Sequence, residues 1–317
     1  MLKTDDLPVT TADIEAAAAR IEGDIRRTPL WRLPGAALGV DCAEVWLKLE
    51  QLQVSGSFKA RGMFNRLRCA ALPAAGVTIA SGGNAGIAAA TAAQALGVRC
   101  EVFVPEVSSA AKRAALAALG AEVVVTGAAY ADALAACLER QRKSGALLMH
   151  AYDQSEVVAG AGTLAREVEL QAGVPERVLV SVGGGGLIAG IAAWFAGRAR
   201  VHALEPGGAP TLHAALAAGA PVDVQVGGLA ADALGAKRIG SIAWPICRRH
   251  VHAAHLVDDA AIIVAQRRLW RDFRLAVEPA AALPLAALAS GLVLPARHER
   301  VLLVVCGANL DPATLAD

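Results

Sequence analysis

From about residue 71 the chain alternates short apolar runs with longer helix-like stretches, and few folds can accommodate that pattern. Val77-Thr78-Ile79-Ala80 and residues 100–104 and 122–125 read as strands, with helices expected over 85–96, 110–119 and 130–142. Leu147-Leu148-Met149-His150 closes this series. It resumes with a helix over 160–172, a buried strand over 178–182, a helix over 188–196 and a strand over 201–204. Helices over 262–273 and 281–290 and a buried strand over 301–305 complete the pattern, whereas residues 206–255 show no clear period. Strands separated by helices of this length need right-handed crossovers, which build parallel sheets covered on both faces. Upstream, Thr11 and Asp13 give a polar start to a helix over 14–21. Arg26-Arg27-Thr28-Pro29-Leu30 is extended, because the residue before a proline leaves the helical region. Val45-Trp46-Leu47-Lys48-Leu49 is strand-like.

A chain of 317 residues can bury one large core or two modest ones. With no repeat and no linker, two halves sharing a cleft are expected: a large domain from residues 1–70 and 152–317, and a small one from 71–151. The net charge is +1 with no lysine- or arginine-rich block, which excludes a nucleic acid or an anionic membrane as the expected partner. Apolar residues make up 55% of the chain, but Gly, Arg or Glu break every run before membrane-spanning length. Met1-Leu2-Lys3-Thr4-Asp5-Asp6 carries an acidic pair and lacks the apolar core of a signal peptide, so a cytoplasmic location is expected. The six cysteines are scattered without a CxxC pair, giving neither a zinc site nor a disulfide framework.

Three short segments carry chemistry. Gly183-Gly184-Gly185-Gly186 follows a buried strand and opens a helix, which gathers backbone N–H groups and a helix N-terminus at one point. A tight turn would need only one or two glycines, so the run favours an anion site; it does not fit the spaced GxGxxG pattern of dinucleotide folds. In Ser55-Gly56-Ser57-Phe58-Lys59-Ala60-Arg61-Gly62 the lysine stands where the chain enters the interior. A partly desolvated ammonium loses its proton readily, and the neutral amine can attack a carbonyl to form a Schiff base. Ser81-Gly82-Gly83-Asn84-Ala85-Gly86 also joins a strand to a helix and reads either as a carboxylate-binding loop or as an ordinary helix cap. Cys306 ends the last strand, where open α/β sheets bind ligands, yet taken alone it reads as core. Glu278, before Pro279, is either a buried helix-start carboxylate or a site residue.

In this order the segments resemble the fold type II enzymes that use pyridoxal phosphate (PLP), the tryptophan synthase β-like family, and within it the serine/threonine dehydratases. The resemblance runs from Arg26-Arg27-Thr28-Pro29-Leu30 through Ala233-Leu234-Gly235-Ala236 and Val277-Glu278-Pro279 to Cys306-Gly307. It implies an α/β fold of two open, twisted, mostly parallel sheets flanked by helices, with the cofactor in the cleft between a large and a small domain. It also implies that Lys59 holds PLP covalently and later removes the substrate Cα proton, while Phe58 packs on the cofactor ring. Asn84 would bond the ring hydroxyl, and Ser81, Gly82, Asn84 and Ala85 would form the substrate-carboxylate loop. Gly183, Gly184, Gly185, Gly186 and Leu187 would hold the phosphate, and Cys306 would face the pyridine nitrogen.

A thiol, with a pKa of roughly 8.5, is too weak an acid to keep that nitrogen protonated, which suits β-elimination better than a long-lived carbanion. The expected reaction converts L-serine or L-threonine into ammonia and a 2-oxo acid. Gly82 stands where related serine racemases carry a serine acid/base, so weak racemisation at most is expected. Thr211 stands where divalent-dependent members carry aspartate, so a divalent ion is not expected. A monovalent cation such as potassium would be held by Glu205 and by carbonyls of Ala209, Leu234 and Ala236. Ala161 replaces a common glutamine. The resemblance further implies a homodimer, and no regulatory domain is expected beyond residue 317. The alternatives are a cysteine synthase-like β-replacement enzyme, a racemase, a dehydratase of another β-hydroxy amino acid such as 3-hydroxyaspartate, or a binding protein that has lost catalysis.

Overall fold

The structure is a computed structural model that describes residues 7–315; the N-terminal segment 1–6 weighed above lies outside them. In chain order, α1 (Thr11–Arg20), β1 (Leu30–Pro34), β2 (Glu44–Leu49) and α2 (Lys59–Cys69) come first. Next are β3 (Val77–Ala80), α3 (Asn84–Ala95), β4 (Cys100–Val104), α4 (Ala110–Ala118), β5 (Glu122–Val125), α5 (Tyr130–Ser144) and β6 (Leu147–Leu148). The chain continues with α6 (Ser155–Ala172), β7 (Arg177–Ser181), α7 (Gly186–Phe195), β8 (Arg200–Pro206), α8 (Thr211–Ala218), α9 (Ala231–Leu234) and α10 (Ala243–His250). It ends with β9 (Val251–Val257), α11 (Asp259–Phe273), α12 (Pro279–Ala289) and β10 (Arg300–Val305).

Two sheets result. The smaller, ordered β5-β4-β3-β6, is wholly parallel and drawn from residues 77–148. The larger, ordered β1-β2-β10-β7-β8-β9, is parallel except for β1, which runs antiparallel to β2 at one edge. This is the α/β architecture of two mainly parallel sheets that the resemblance implies. The strands β3, β4 and β7 are buried along their whole length, and β2 and β10 from their second residue on, as expected of strands covered on both faces.

One helix sets the spacing of the site. α2 and α7 both lie on α6, through contacts too close for any side chain. A Cβ on Gly160 would meet the Arg61 carbonyl at 2.4 Å, and one on Gly190 would meet the Gly162 nitrogen at 2.5 Å. Ala161 is buried between these two contacts. The helix starting with Lys59 and the helix following the glycine run are therefore held at a fixed separation by one small-residue turn of α6.

A buried ionic network locks α2 to its neighbours. Arg61 donates to both carboxylate oxygens of Glu50, at 2.7 and 2.8 Å, and to Glu167 at 3.0 Å. Lys48 joins the same Glu167 and donates to the Thr28 carbonyl at 2.8 Å. Each buried charge thus has an opposite partner and further hydrogen bonds, the condition under which such charges are tolerated in a core.

Candidate active site

Lys59 is the first residue of α2, and the segment before it is tied to the end of β10. Phe58 N–H donates to the Cys306 carbonyl at 3.0 Å, Ala308 N–H to the Gly56 carbonyl at 2.9 Å, and Ser57 forms a bridge with Gly307. Ser55 turns the chain with φ +65°, in the left-handed region that non-glycine residues seldom adopt. The carboxyl end of β10 thereby aims Lys59 into a cleft whose opposite wall is the glycine run. Its Nζ donates to the Ala151 carbonyl at 2.6 Å and lies 5.1 Å from the centre of the Phe58 ring.

Burial pushes the Lys59 ammonium down to about 8, with the Cys306 and Glu278 sites acting in the opposite direction. At pH 7 about a tenth of the side chain is then the neutral amine, whereas an unperturbed lysine has well under a thousandth.

The glycine run has the features of an anion cradle. Its carbonyls are turned away and bonded: Gly183 to the Thr211 hydroxyl at 2.6 Å, Gly184 to Gly240 N–H at 3.0 Å and Gly185 to Ala189 N–H at 2.9 Å. Among the described residues, the N–H groups from Gly183 to Leu187 donate to no backbone carbonyl. These free donors line the cleft at the N-terminus of α7, where the helix dipole also favours negative charge. Gly185 takes φ +88°, and a Cβ on Gly184 would fall 2.3 Å from the Tyr152 ring.

Phe58, Lys59, Asn84, Gly183, Gly184, Gly185, Gly186, Leu187, Leu234 and Cys306 line this one cleft. Ser81, Gly82 and Ala85 are not among the lining residues; they flank Asn84 in the turn that opens α3, where the Ser81 hydroxyl accepts from Gly83 N–H at 3.4 Å. Glu205, Ala209 and Ala236 also lie outside the lining. The buried Glu205 carboxylate accepts from Leu212 and His213 N–H, both at 2.7 Å, at the start of α8, with the Thr211 hydroxyl 2.9 Å away. Burial raises its pKa.

Cys306 is buried, and burial drives its thiol well above the usual range, so it stays neutral. Glu278 belongs to the cleft: both its oxygens accept from Asn84 Nδ2, at 2.8 and 2.9 Å, and burial raises its carboxyl to about 7. Tyr152, Ser181, Ala233 and Ala280 line the cleft too, and sequence reasoning assigned them no site role. Ser181 spends its hydroxyl on the Ala280 carbonyl at 2.6 Å. Tyr152 packs its ring edge-on against His150, with the centroids 4.7 Å apart, and burial pushes its phenol up to about 12. His150 Nδ1 accepts from the N–H groups of Tyr152 and Asp153, so that nitrogen is unprotonated.

Comparison with known proteins fits this geometry. Residues 21–307 match the family model described as pyridoxal-phosphate dependent enzyme. The phenylserine dehydratase of Ralstonia pickettii is 35% identical over 99% of this chain and 97% of its own length. The L-threonine ammonia-lyase of Geobacter sulfurreducens is 36% identical over 98% of this chain and 77% of its own. Among solved structures, maize serine racemase superposes with a TM-score of 0.90 at 29% identity, covering 97% of this chain and 96% of that one.

Proposed function

The chain belongs to the family of pyridoxal-phosphate-dependent enzymes, and from that premise we propose that it is an ammonia-lyase converting L-serine, L-threonine or a related β-hydroxy amino acid into a 2-oxo acid and ammonia. The carrying observation is that Lys59 and the unspent N–H groups of Gly183 to Leu187 line one cleft. That pairing fits the cofactor: an amine with a depressed pKa for its aldehyde, and a ring of amide donors for its phosphate. Lys59 would hold the cofactor, Phe58 would lie against its ring, and Cys306 would face the ring nitrogen. Bound pyridoxal phosphate supplies an electron sink for the pair left when the substrate Cα–H bond breaks.

The chain's own residues supply the rest. The neutral Lys59 amine accepts the Cα proton; its low pKa keeps a usable fraction unprotonated at neutral pH. The β-hydroxyl leaves with the electron pair of its C–O bond and, on taking up a proton, departs as water. The released enamine tautomerises to an imine, and water adds to the imine carbon as ammonia leaves, giving pyruvate from serine or 2-oxobutanoate from threonine. The neutral Cys306 thiol cannot hold a full positive charge on the ring nitrogen, which favours prompt elimination. Ser81, Gly82, Asn84 and Ala85 are proposed to receive the substrate carboxylate.

Gly82 has no side chain to move a proton on the opposite face, which weighs against racemisation despite the likeness to serine racemase. The functional partner is a small amino acid. Among the described residues no helix is long and apolar enough to cross a membrane, and we propose a cytoplasmic homodimer. A monovalent cation such as potassium near Glu205 remains part of the proposal, with dialysis against a potassium-free buffer as its test.

The deciding experiment measures 2-oxo acid and ammonia release from L-serine, L-threonine, phenylserine and 3-hydroxyaspartate, with sulfide added in parallel. Equal release of both products from at least one substrate supports the assignment. Capture of the substrate carbon by sulfide in place of 2-oxo acid would reassign the chain to β-replacement.

A further inference from the structure

Among the described residues lining the cleft, Glu278 is the only carboxylate. It caps no helix N–H with its side chain, although it precedes Pro279 at the start of α12; the side chain enters the cleft. It is 5% exposed, and its space is guarded, since a Cβ on Gly307 would meet its Oε1 at 2.6 Å.

Its partner is fixed by a directional chain of hydrogen bonds. The Ser55 carbonyl can only accept, so Asn309 presents Nδ2 to it, at 2.9 Å. The same Nδ2 donates to Asn84 Oδ1 at 2.7 Å, which leaves Asn84 Nδ2 facing Glu278. Asn84 opens α3 on the smaller sheet, while Asn309 and Glu278 flank β10 and α12 on the larger sheet's side, so the chain crosses the cleft.

We infer that Glu278 is the positioning residue of this site: it fixes the Asn84 amide across the cleft and supplies the negative charge that faces the Lys59 nitrogen. This rests on Lys59 carrying the cofactor. An ionised carboxylate can only accept, so Asn84 turns its amide N–H groups toward Glu278. The other titratable groups facing this pair are the Cys306 thiol at the end of β10, Asp232 on α9 and His150 in the loop after β6. Cys306 is neutral, and Asp232 is paired with Lys112. Above about pH 7, where its carboxyl ionises, Glu278 is therefore the negative charge within the cleft that stabilises a cationic Lys59 nitrogen, in line with its raising effect on that lysine.

The test uses the cofactor-loaded protein and the variants Glu278→Gln and Glu278→Ala. The visible absorption of bound PLP is titrated with pH, and PLP affinity is measured by equilibrium dialysis. Glu278→Gln keeps an oxygen for Asn84 but loses the charge, so its spectral midpoint should fall by about one pH unit with affinity within threefold of the parent. Glu278→Ala should show the same fall together with at least a tenfold loss of affinity. A spectral midpoint unmoved in Glu278→Gln, or parental affinity in Glu278→Ala, overturns the inference. A parent protein that binds no PLP would instead sink the underlying functional reading.

Discussion

Replacing Gly184 by alanine adds a single methyl group at the tightest point of the glycine run. That methyl carbon would lie 2.3 Å from Tyr152 Cγ and 2.4 Å from each of Cδ1 and Cδ2. Carbon atoms in contact prefer about 3.5 Å or more, so the ring must retreat by roughly 1.2 Å. It has little room to do so: His150 is edge-on to the ring, and even a methyl on Gly186 would lie 3.0 Å from the Tyr152 carbonyl. Overpacking of this kind costs about 1–3 kcal/mol. At about 1.4 kcal/mol per tenfold, strain relieved by displacing the glycine loop lowers PLP affinity about five- to 140-fold. Equilibrium dialysis of the cofactor-free protein against PLP measures this, with thermal unfolding run alongside to separate loop displacement from general loss of fold. The double variant Gly184→Ala with Tyr152→Ala should bind PLP as tightly as Tyr152→Ala alone. A Gly184→Ala protein that binds PLP within twofold of the parent refutes the reasoning.

Other consequences follow from buried charge and from the turn before α3. Arg61→Met leaves the fully buried Glu50, among the described residues, with only the Thr28 hydroxyl as a hydrogen-bond partner, and stability should drop by about 3–5 kcal/mol in urea unfolding; a loss under 1 kcal/mol contradicts the network. His202 is buried with Arg177 and His255 each 3.0 Å from a ring nitrogen, and burial, then Arg177, depress it to about 3. Because folding favours its neutral form, its contribution is intact above its unfolded value near 6.5 and is lost as pH falls toward 3, reaching about 2 kcal/mol by pH 5. His202→Gln should flatten that part of the pH–stability curve, and an unchanged slope would count against it. Gly82→Ser should raise serine racemisation relative to ammonia release; the nearest atoms to an added Cβ are Ser108 Oγ and Val104 Cγ1, both at 3.3 Å, and these side chains need give only by tenths of an ångström. A ratio unmoved by the serine would contradict the role given to Gly82.

The alternation of 77–148 was legible because each strand there is short, apolar and followed by a helix of small residues. Expected strands over 77–80, 100–104 and 122–125 match the observed limits. What escaped was edge structure. β1 has no two-residue period, with Trp31 and Arg32 both exposed between half-buried Leu30 and Leu33, and it ends in Pro34, so it reads like a loop. β9 carries His252 and His255, which pair with His202 in place of forming an apolar face, and a register shift near Val201 breaks its pattern. α6 begins at Ser155 and not at 160, since Val157 and Val158 continue its buried face. Lys59, the glycines and Cys306 could be found locally because each sits at the end of a regular element. Tyr152 could not: it is one aromatic in an irregular loop, and only the fold lays it on Gly184. Glu278 stayed ambiguous because its partner Asn84 is remote in sequence and belongs to the other sheet.

The central claim concerns one nitrogen atom. Protein loaded with PLP, reduced with borohydride, digested and mapped by mass spectrometry reports which lysine had held the cofactor. The account predicts stoichiometric modification of Lys59, and no retained cofactor after reduction in Lys59→Ala. Modification on Lys3, Lys48, Lys112, Lys143 or Lys237, or none at all, would contradict it.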